Sequence, residues 1–232
     1  MLEVIVETLA DALASHAGGA SQLDCKAALP LGGLTPSLGM VEQICRSVDT
    51  DALVTIRPHA RSFCFTPPEI AVMCGDIMRA RDVGASGFLT GCLTEKGAID
   101  VEAMTALQEA AGKLPVHFHL AWELVPSPVD ALDTLVGLGV KSVRTSGGGL
   151  ENVAVDRMDS ILGFSAHAAG RIELVLAGGV TLQNVGRLVA GTGVPNVHVG
   201  RAARTPETRY GAVDAAKVRS LSLALQEASA LL

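Results

Sequence analysis

The feature that most constrains this chain is a rhythm. Short apolar or alternating runs recur at 2–7, 21–26, 52–57, 86–91, 115–119, 141–145, 172–177 and 196–199, and segments with helical spacing lie between them. Ile70, Met73 and Ile77 mark one such helix, Val101, Met104 and Leu107 another, and Leu132, Leu135 and Val136 a third. A strand, a helix and a second strand in one sheet require a right-handed crossover and parallel pairing. About eight such units favour closure over an open doubly wound sheet. The expected fold is therefore α/β: a single-domain (β/α)8 TIM barrel over residues 1–232.

The punctuation agrees. Glycines in Gly19-Ala20, Gly84-Ala85, Gly139-Val140 and Gly193-Val194 fall just before predicted strands, where a helix ends and the chain turns inward. Pro67-Pro68 and Pro126-Ser127-Pro128 read as helix starts, because proline is tolerated in a first turn. The segment from Asp214 to Leu232 reads as the closing helix.

With 49% hydrophobic and 18% charged residues, the chain has ample material for one large core. A net charge of −6, no basic cluster and only 3% aromatics argue against a nucleic-acid partner and favour a small polar ligand. Five cysteines without a C-x-x-C pair argue against a disulfide framework or a closed zinc site, and imply a reducing, cytoplasmic setting. Leu2-Glu3-Val4-Ile5-Val6 is a strand pattern rather than a signal peptide, and no apolar run is long enough to span a membrane. Apolar helix faces are explained by packing on the barrel, with a homo-oligomer left open.

Strand parity locates the polar interior, since successive residues alternate between the lumen and the helical layer. Leu2, Val4 and Val6 take the helical side, leaving Glu3 and Glu7 for the lumen; Leu23 and Cys25 leave Asp24 and Lys26. Ile56 leaves Arg57, Val116 and Phe118 leave His117 and His119, and Val197 and Val199 leave His198. Strands 4, 6 and 7 are ambiguous on this criterion. A buried unpaired charge is costly, so these groups must pair, hold a ligand or reach water at the mouth. Glu3 and Asp24 lie early in their strands and suit either a structural network or a site, and His117 reads as a core histidine. Lys26, Arg57 and His119 lie at strand ends, where barrel enzymes carry their chemistry.

Ala177-Gly178-Gly179-Val180 follows strand 7, and Gly200-Arg201-Ala202-Ala203-Arg204 follows strand 8. Many barrels hold an anion on backbone amides at these positions, although such glycines also serve simply as tight turns. Gly178, Gly179, Gly200 and Arg201 are the candidate anion-binding residues.

Gly32-Gly33-Leu34-Thr35-Pro36-Ser37-Leu38-Gly39 resembles a loop of the copper homeostasis protein CutC family, and the resemblance runs through nearly the whole chain. It includes Leu2-Glu3-Val4, Ile56-Arg57-Pro58, Phe63-Cys64-Phe65, Thr90-Gly91, Phe118-His119, Thr145-Ser146-Gly147, Ala177-Gly178-Gly179-Val180 and Val197-His198. It implies a barrel fold and a function in copper handling. The family usually carries cysteine where this chain has Ile5 and Lys26, and soft sulfur is what Cu(I) prefers. His119-Leu120-Ala121-Trp122-Glu123 stands where the family reads His-Arg-Ala-Phe-Asp, and Arg57-Pro58-His59 where it reads Arg-Pro-Arg. Cys64 matches a family cysteine and, with His59, offers a partial shell.

Three functions follow. The first is a protein that binds or transforms a small anionic metabolite at the mouth, as a lyase or isomerase acting on a carboxylate, sugar or phosphorylated compound. There Arg57 clamps the anion, His119 or Glu123 moves a proton, and Lys26, beside Asp24 and Glu3, serves as fixed charge or nucleophile. The second is copper binding, and the third a scaffold whose mouth charges only pair. No metal ligand set is assigned from the sequence.

Overall fold

The computed structural model describes residues 1–150 and 153–232. Eight parallel strands close a barrel in chain order: β1 (Leu2–Val6), β2 (Gln22–Cys25), β3 (Asp51–Thr55), β4 (Gly87–Thr90), β5 (Val116–Phe118), β6 (Ser142–Thr145), β7 (Glu173–Leu176) and β8 (Val197–Val199). Each overlaps a predicted run, and β8 pairs with β1 to complete the ring. The surrounding helices are α1 (Leu9–Ala17), α2 (Leu38–Ser47), α3 (Pro67–Asp82), α4 (Val101–Ala111), α5 (Pro128–Gly137), α6 (Met158–Ala168), α7 (Val185–Thr192) and α8 (Ala215–Ser229). The expected single (β/α)8 barrel is the observed fold.

Local chemistry sets the helix starts. Pro67 and Pro128 occupy first turns, as their missing N–H allows. The side chains of Ser37, Asp100 and Asp214 accept backbone N–H groups at the starts of α2, α4 and α8.

Leu2, Val4, Val6, Leu23, Cys25, Val116, Phe118, Val197 and Val199 are buried in the layer between strands and helices, as parity predicts. Ile5, Leu53, Leu89 and Val175 have the opposite parity; they are buried outside that layer and fill the barrel. Glu7 departs from its parity assignment because β1 ends at Val6. Its Oε1 instead accepts the Leu29 N–H at 2.8 Å, holding the loop after β2.

A hairpin beyond β8 is absent from the sequence reading: β9 (Arg204–Thr205) pairs antiparallel with β10 (Ala212–Val213). Strands of two residues carry no period to detect. Buried Arg204 anchors it, donating to Gly211 O at 2.6 Å and Ile5 O at 3.0 Å and pairing with Asp11 at 3.4 Å. Among the described residues, no helix is long and apolar enough to cross a membrane.

Candidate functional site

The interior polar residues form two tiers. In the lower tier Glu3 is fully buried and paired with Arg144 of β6, whose Nε lies 3.1 Å from Oε1 and whose Nη2 also reaches Oε2. His198 completes the group through Nδ1, because the register places it directly beside Glu3. Burial alone would push the Glu3 carboxyl up; the Arg144 charge and the His198 bond outweigh it and hold Glu3 well below the usual carboxylate range. Arg144 is the residue that the sequence reading missed. Its strand, Ser142-Val143-Arg144-Thr145, has one apolar residue, and a single point fixes no alternation; Val143 facing the helices was the available signal.

The upper tier opens at the carboxyl ends of the strands. Lys26, Arg57, His119, Leu89 and His198 line a cavity of about 480 Å³. Lys26 Nζ lies 2.6 Å from Asp24 Oδ2, while Asp24 Oδ1 accepts the Thr55 hydroxyl at 2.7 Å. Arg57 is only 8% exposed, and its guanidinium donates to the carbonyls of Leu31, Gly33 and Ala60 at 3.3–3.4 Å. It also lies over the Phe63 ring, 4.5 Å from the centroid. Among the described residues no carboxylate pairs with Arg57, and its Nε has no partner.

His119 packs against the same Phe63 ring, centroid to centroid 4.7 Å, and edge-on against Phe118 at 5.5 Å. Its Nδ1 accepts the Ala121 N–H at 3.3 Å, which fixes the neutral tautomer with the proton on Nε2. Burial, then the charges of Arg57 and Lys26, push its pKa down to about 3, so the ring is uncharged at neutral pH.

The glycine-rich loop after β2 makes this arrangement possible. Gly33 has a φ of +95°, and a Cβ there would stand 2.5 Å from the Lys26 Cδ; one on Gly32, at φ +89°, would stand 3.2 Å from an Arg57 nitrogen. Thr35 then fixes the backbone of Arg57, accepting its N–H on Oγ1 at 2.9 Å and donating its own N–H to Arg57 O at 3.0 Å. Leu31, Gly32, Gly33 and Thr35 of one loop thereby bed two cations.

The other candidates fall in distinct places. Gly178, Gly179, Gly200 and Arg201 converge on an adjoining cavity of about 390 Å³ that shares Ile5, Ala177 and His198 with the first. Glu123 is outside both lining sets. Its buried carboxylate accepts the Thr145 and Ser146 hydroxyls and the N–H groups of Ser146, Gly147 and Gly149, organising the loop after β6. A carboxylate so fully engaged is a loop anchor rather than the proton carrier that sequence suggested. His117 faces the opposite end of the barrel, bonded to Ser142 Oγ at 2.7 Å, with burial and Arg144 lowering its pKa to about 3.

Metal-ligating groups converge at Glu3, Asp24 and His198, the one cluster of three among the described residues. It contains no sulfur, and Arg144 and Lys26 already neutralise its carboxylates, so it does not fit Cu(I). Cys25 lies in the helix-facing layer with its thiol pushed up by burial. Cys64 lines a separate groove, and His59 turns to Glu69 at 3.0 Å. Ile5 and Lys26 line the mouth where the family resemblance leads one to expect thiols.

Known proteins share this framework. The CutC family model matches residues 1–203. The human protein named copper homeostasis protein cutC homolog is 35% identical over 223 residues, covering 96% of this chain and 81% of its own. A CutC family protein of Treponema denticola is 34% identical over 206 residues, covering 89% of this chain and 83% of its own. The crystal structure of a CutC copper homeostasis protein from Streptococcus agalactiae superposes with a TM-score of 0.81 at 29% identity, over 86% of this chain and 97% of that one. Sequence match and barrel superposition together place this chain in the CutC family.

Proposed function

We propose that the chain binds a small anionic metabolite in the barrel mouth, anchored by Arg57. The observation that carries this reading is a buried guanidinium lining the cavity without a carboxylate partner among the described residues. Burying a cation without a counterion costs several kcal/mol, and an arriving carboxylate or phosphate oxygen supplies what is missing. Burial also pulls the Arg57 pKa down from its ordinary value, although arginine stays charged at any physiological pH.

Lys26 adds positive potential while remaining tied to Asp24, a pairing that favours fixed charge over an amine nucleophile. His119 offers a neutral Nε2–H donor. These groups suit lyase or isomerase chemistry that develops negative charge on a small carboxylate, sugar or phosphorylated compound. The five free cysteines support a reducing, cytoplasmic setting. Titration calorimetry with carboxylates and phosphates tests the reading. Binding should weaken at least about tenfold in a folded Arg57→Gln variant, the loss of one charge-assisted bond; unchanged affinity refutes it.

The second reading, copper homeostasis, rests on the names of the relatives. Cys64 is its thiol candidate, since the cluster of Glu3, Asp24 and His198 does not fit Cu(I). Stoichiometric Cu(I) uptake by the reduced protein that disappears in Cys64→Ser supports it; uptake no greater than that of the denatured chain removes it.

A further inference from the structure

The two mouth cavities adjoin as two lobes. Ile5, Leu29, Leu120 and Ala177 form an apolar waist that lines both, which brings the second within reach of a ligand seated in the first. Arg57 and Lys26 line the first lobe and not the second. Arg209 lines both lobes, carried there by the loop of the β9–β10 hairpin. Its Nη1 donates to Pro30 O at 3.1 Å, tying that loop to the one after β2. No carboxylate pairs with Arg209 among the described residues.

The second lobe is rich in unused donors. The backbone N–H groups of Gly178, Gly179, Gly200 and Arg201 have no acceptor among the described residues. The acid in its lining, Glu207, is engaged with Lys217 at 2.6 Å. Several N–H groups beside an exposed guanidinium match the many acceptor oxygens of a tetrahedral dianion. The single planar guanidinium of Arg57 matches a carboxylate.

We infer that Arg209 is a specificity-determining residue of a second anion subsite, and that the ligand is a phosphorylated carboxylate: carboxylate at Arg57, phosphate beneath Arg209, a short uncharged segment between. This rests on the reading of Arg57 as an anion anchor. Calorimetry on the full chain with glycolate, inorganic phosphate and 2-phosphoglycolate as probes tests it. The two-ended probe should bind at least about tenfold more tightly than either half, because the second contact becomes intramolecular. Arg209→Ala, which changes an exposed side chain, should weaken 2-phosphoglycolate at least about tenfold and glycolate far less; Arg201→Ala, which keeps its backbone N–H but removes the other guanidinium of the second lobe, should act in the same direction. Urea unfolding without ligand confirms that each variant is folded. A two-ended probe no tighter than glycolate, or phosphate binding indifferent to both substitutions, overturns the second subsite. Glycolate that fails to bind at all overturns the Arg57 reading instead.

Discussion

Arg144 and Glu3 are 141 residues apart in sequence and meet inside the barrel, joined by two hydrogen bonds with neither side chain more than 2% exposed. Removing one partner strands the other as a buried charge, so Arg144→Met should lower the unfolding free energy by about 3–5 kcal/mol. The double variant with Glu3→Gln should recover much of that loss. Urea denaturation of the three proteins measures both; a single substitution costing less than about 1 kcal/mol contradicts the buried-pair account.

Stability should fall on acidification in two stages. His117 and His119 have pKa values near 3 in the folded protein against 6.5 for the free group, so the unfolded chain takes up protons first as the pH drops below 6.5. Glu3 is held below the usual carboxylate value of 4.5, so its contribution is complete above that pH and is lost as the pH falls further. The unfolding free energy should therefore decline as the pH falls below 6.5 and steepen below 4.5. Replacing His117 with Asn should make the first slope shallower by about one proton, whatever it does to stability at neutral pH.

Gly33→Ala introduces a Cβ at 2.5 Å from Lys26 Cδ on a backbone with φ of +95°. It should destabilise the protein by about 1–3 kcal/mol through strain. It should also displace Lys26 from Asp24. Anion affinity should drop with it; denaturation and calorimetry on one preparation check the two effects together.

Glu123→Gln turns one acceptor oxygen into a donor facing backbone N–H groups. It should cost about 1–3 kcal/mol and speed amide exchange at Ser146, Gly147 and Gly149. Because Glu123 anchors the loop, the pH profile of ligand binding should keep its shape. A displaced titration step with unaltered exchange would restore the proton-carrier reading.

The barrel was legible because Leu2-Glu3-Val4-Ile5-Val6 and its counterparts are short apolar or alternating runs separated by helical spacing, and such patterns are local properties. Glu3, Asp24, Lys26, Arg57, His119 and His198 were placed inward on that basis, and each faces the interior. Partners were less legible. Which acid meets which base depends on strand register and on closure of β8 against β1, neither of which leaves a local trace, so Arg144 stayed hidden behind Val143. Glu7 was misplaced for another reason: parity stops at the strand end, and beyond Val6 the backbone obeys turn geometry instead. Glu123 was named from its neighbourhood to His119, and where its carboxylate turns depends on the loop after β6, which the 3-10 turn Leu120–Leu124 does not announce.

The β1–β8 closure has a consequence for the chain as it is being made. Glu3 leaves the ribosome well before its partners, since Arg144 and His198 follow 141 and 195 positions later. At about 5–20 residues per second, the carboxylate waits roughly 10 to 40 s for His198. Until Arg144 is made, the first strand cannot be buried without stranding a charge, and until β8 is made it lacks one of its two neighbours. Nascent chains that end before His198 should remain open, and the last barrel strand to be translated is the one that lets the first take its place.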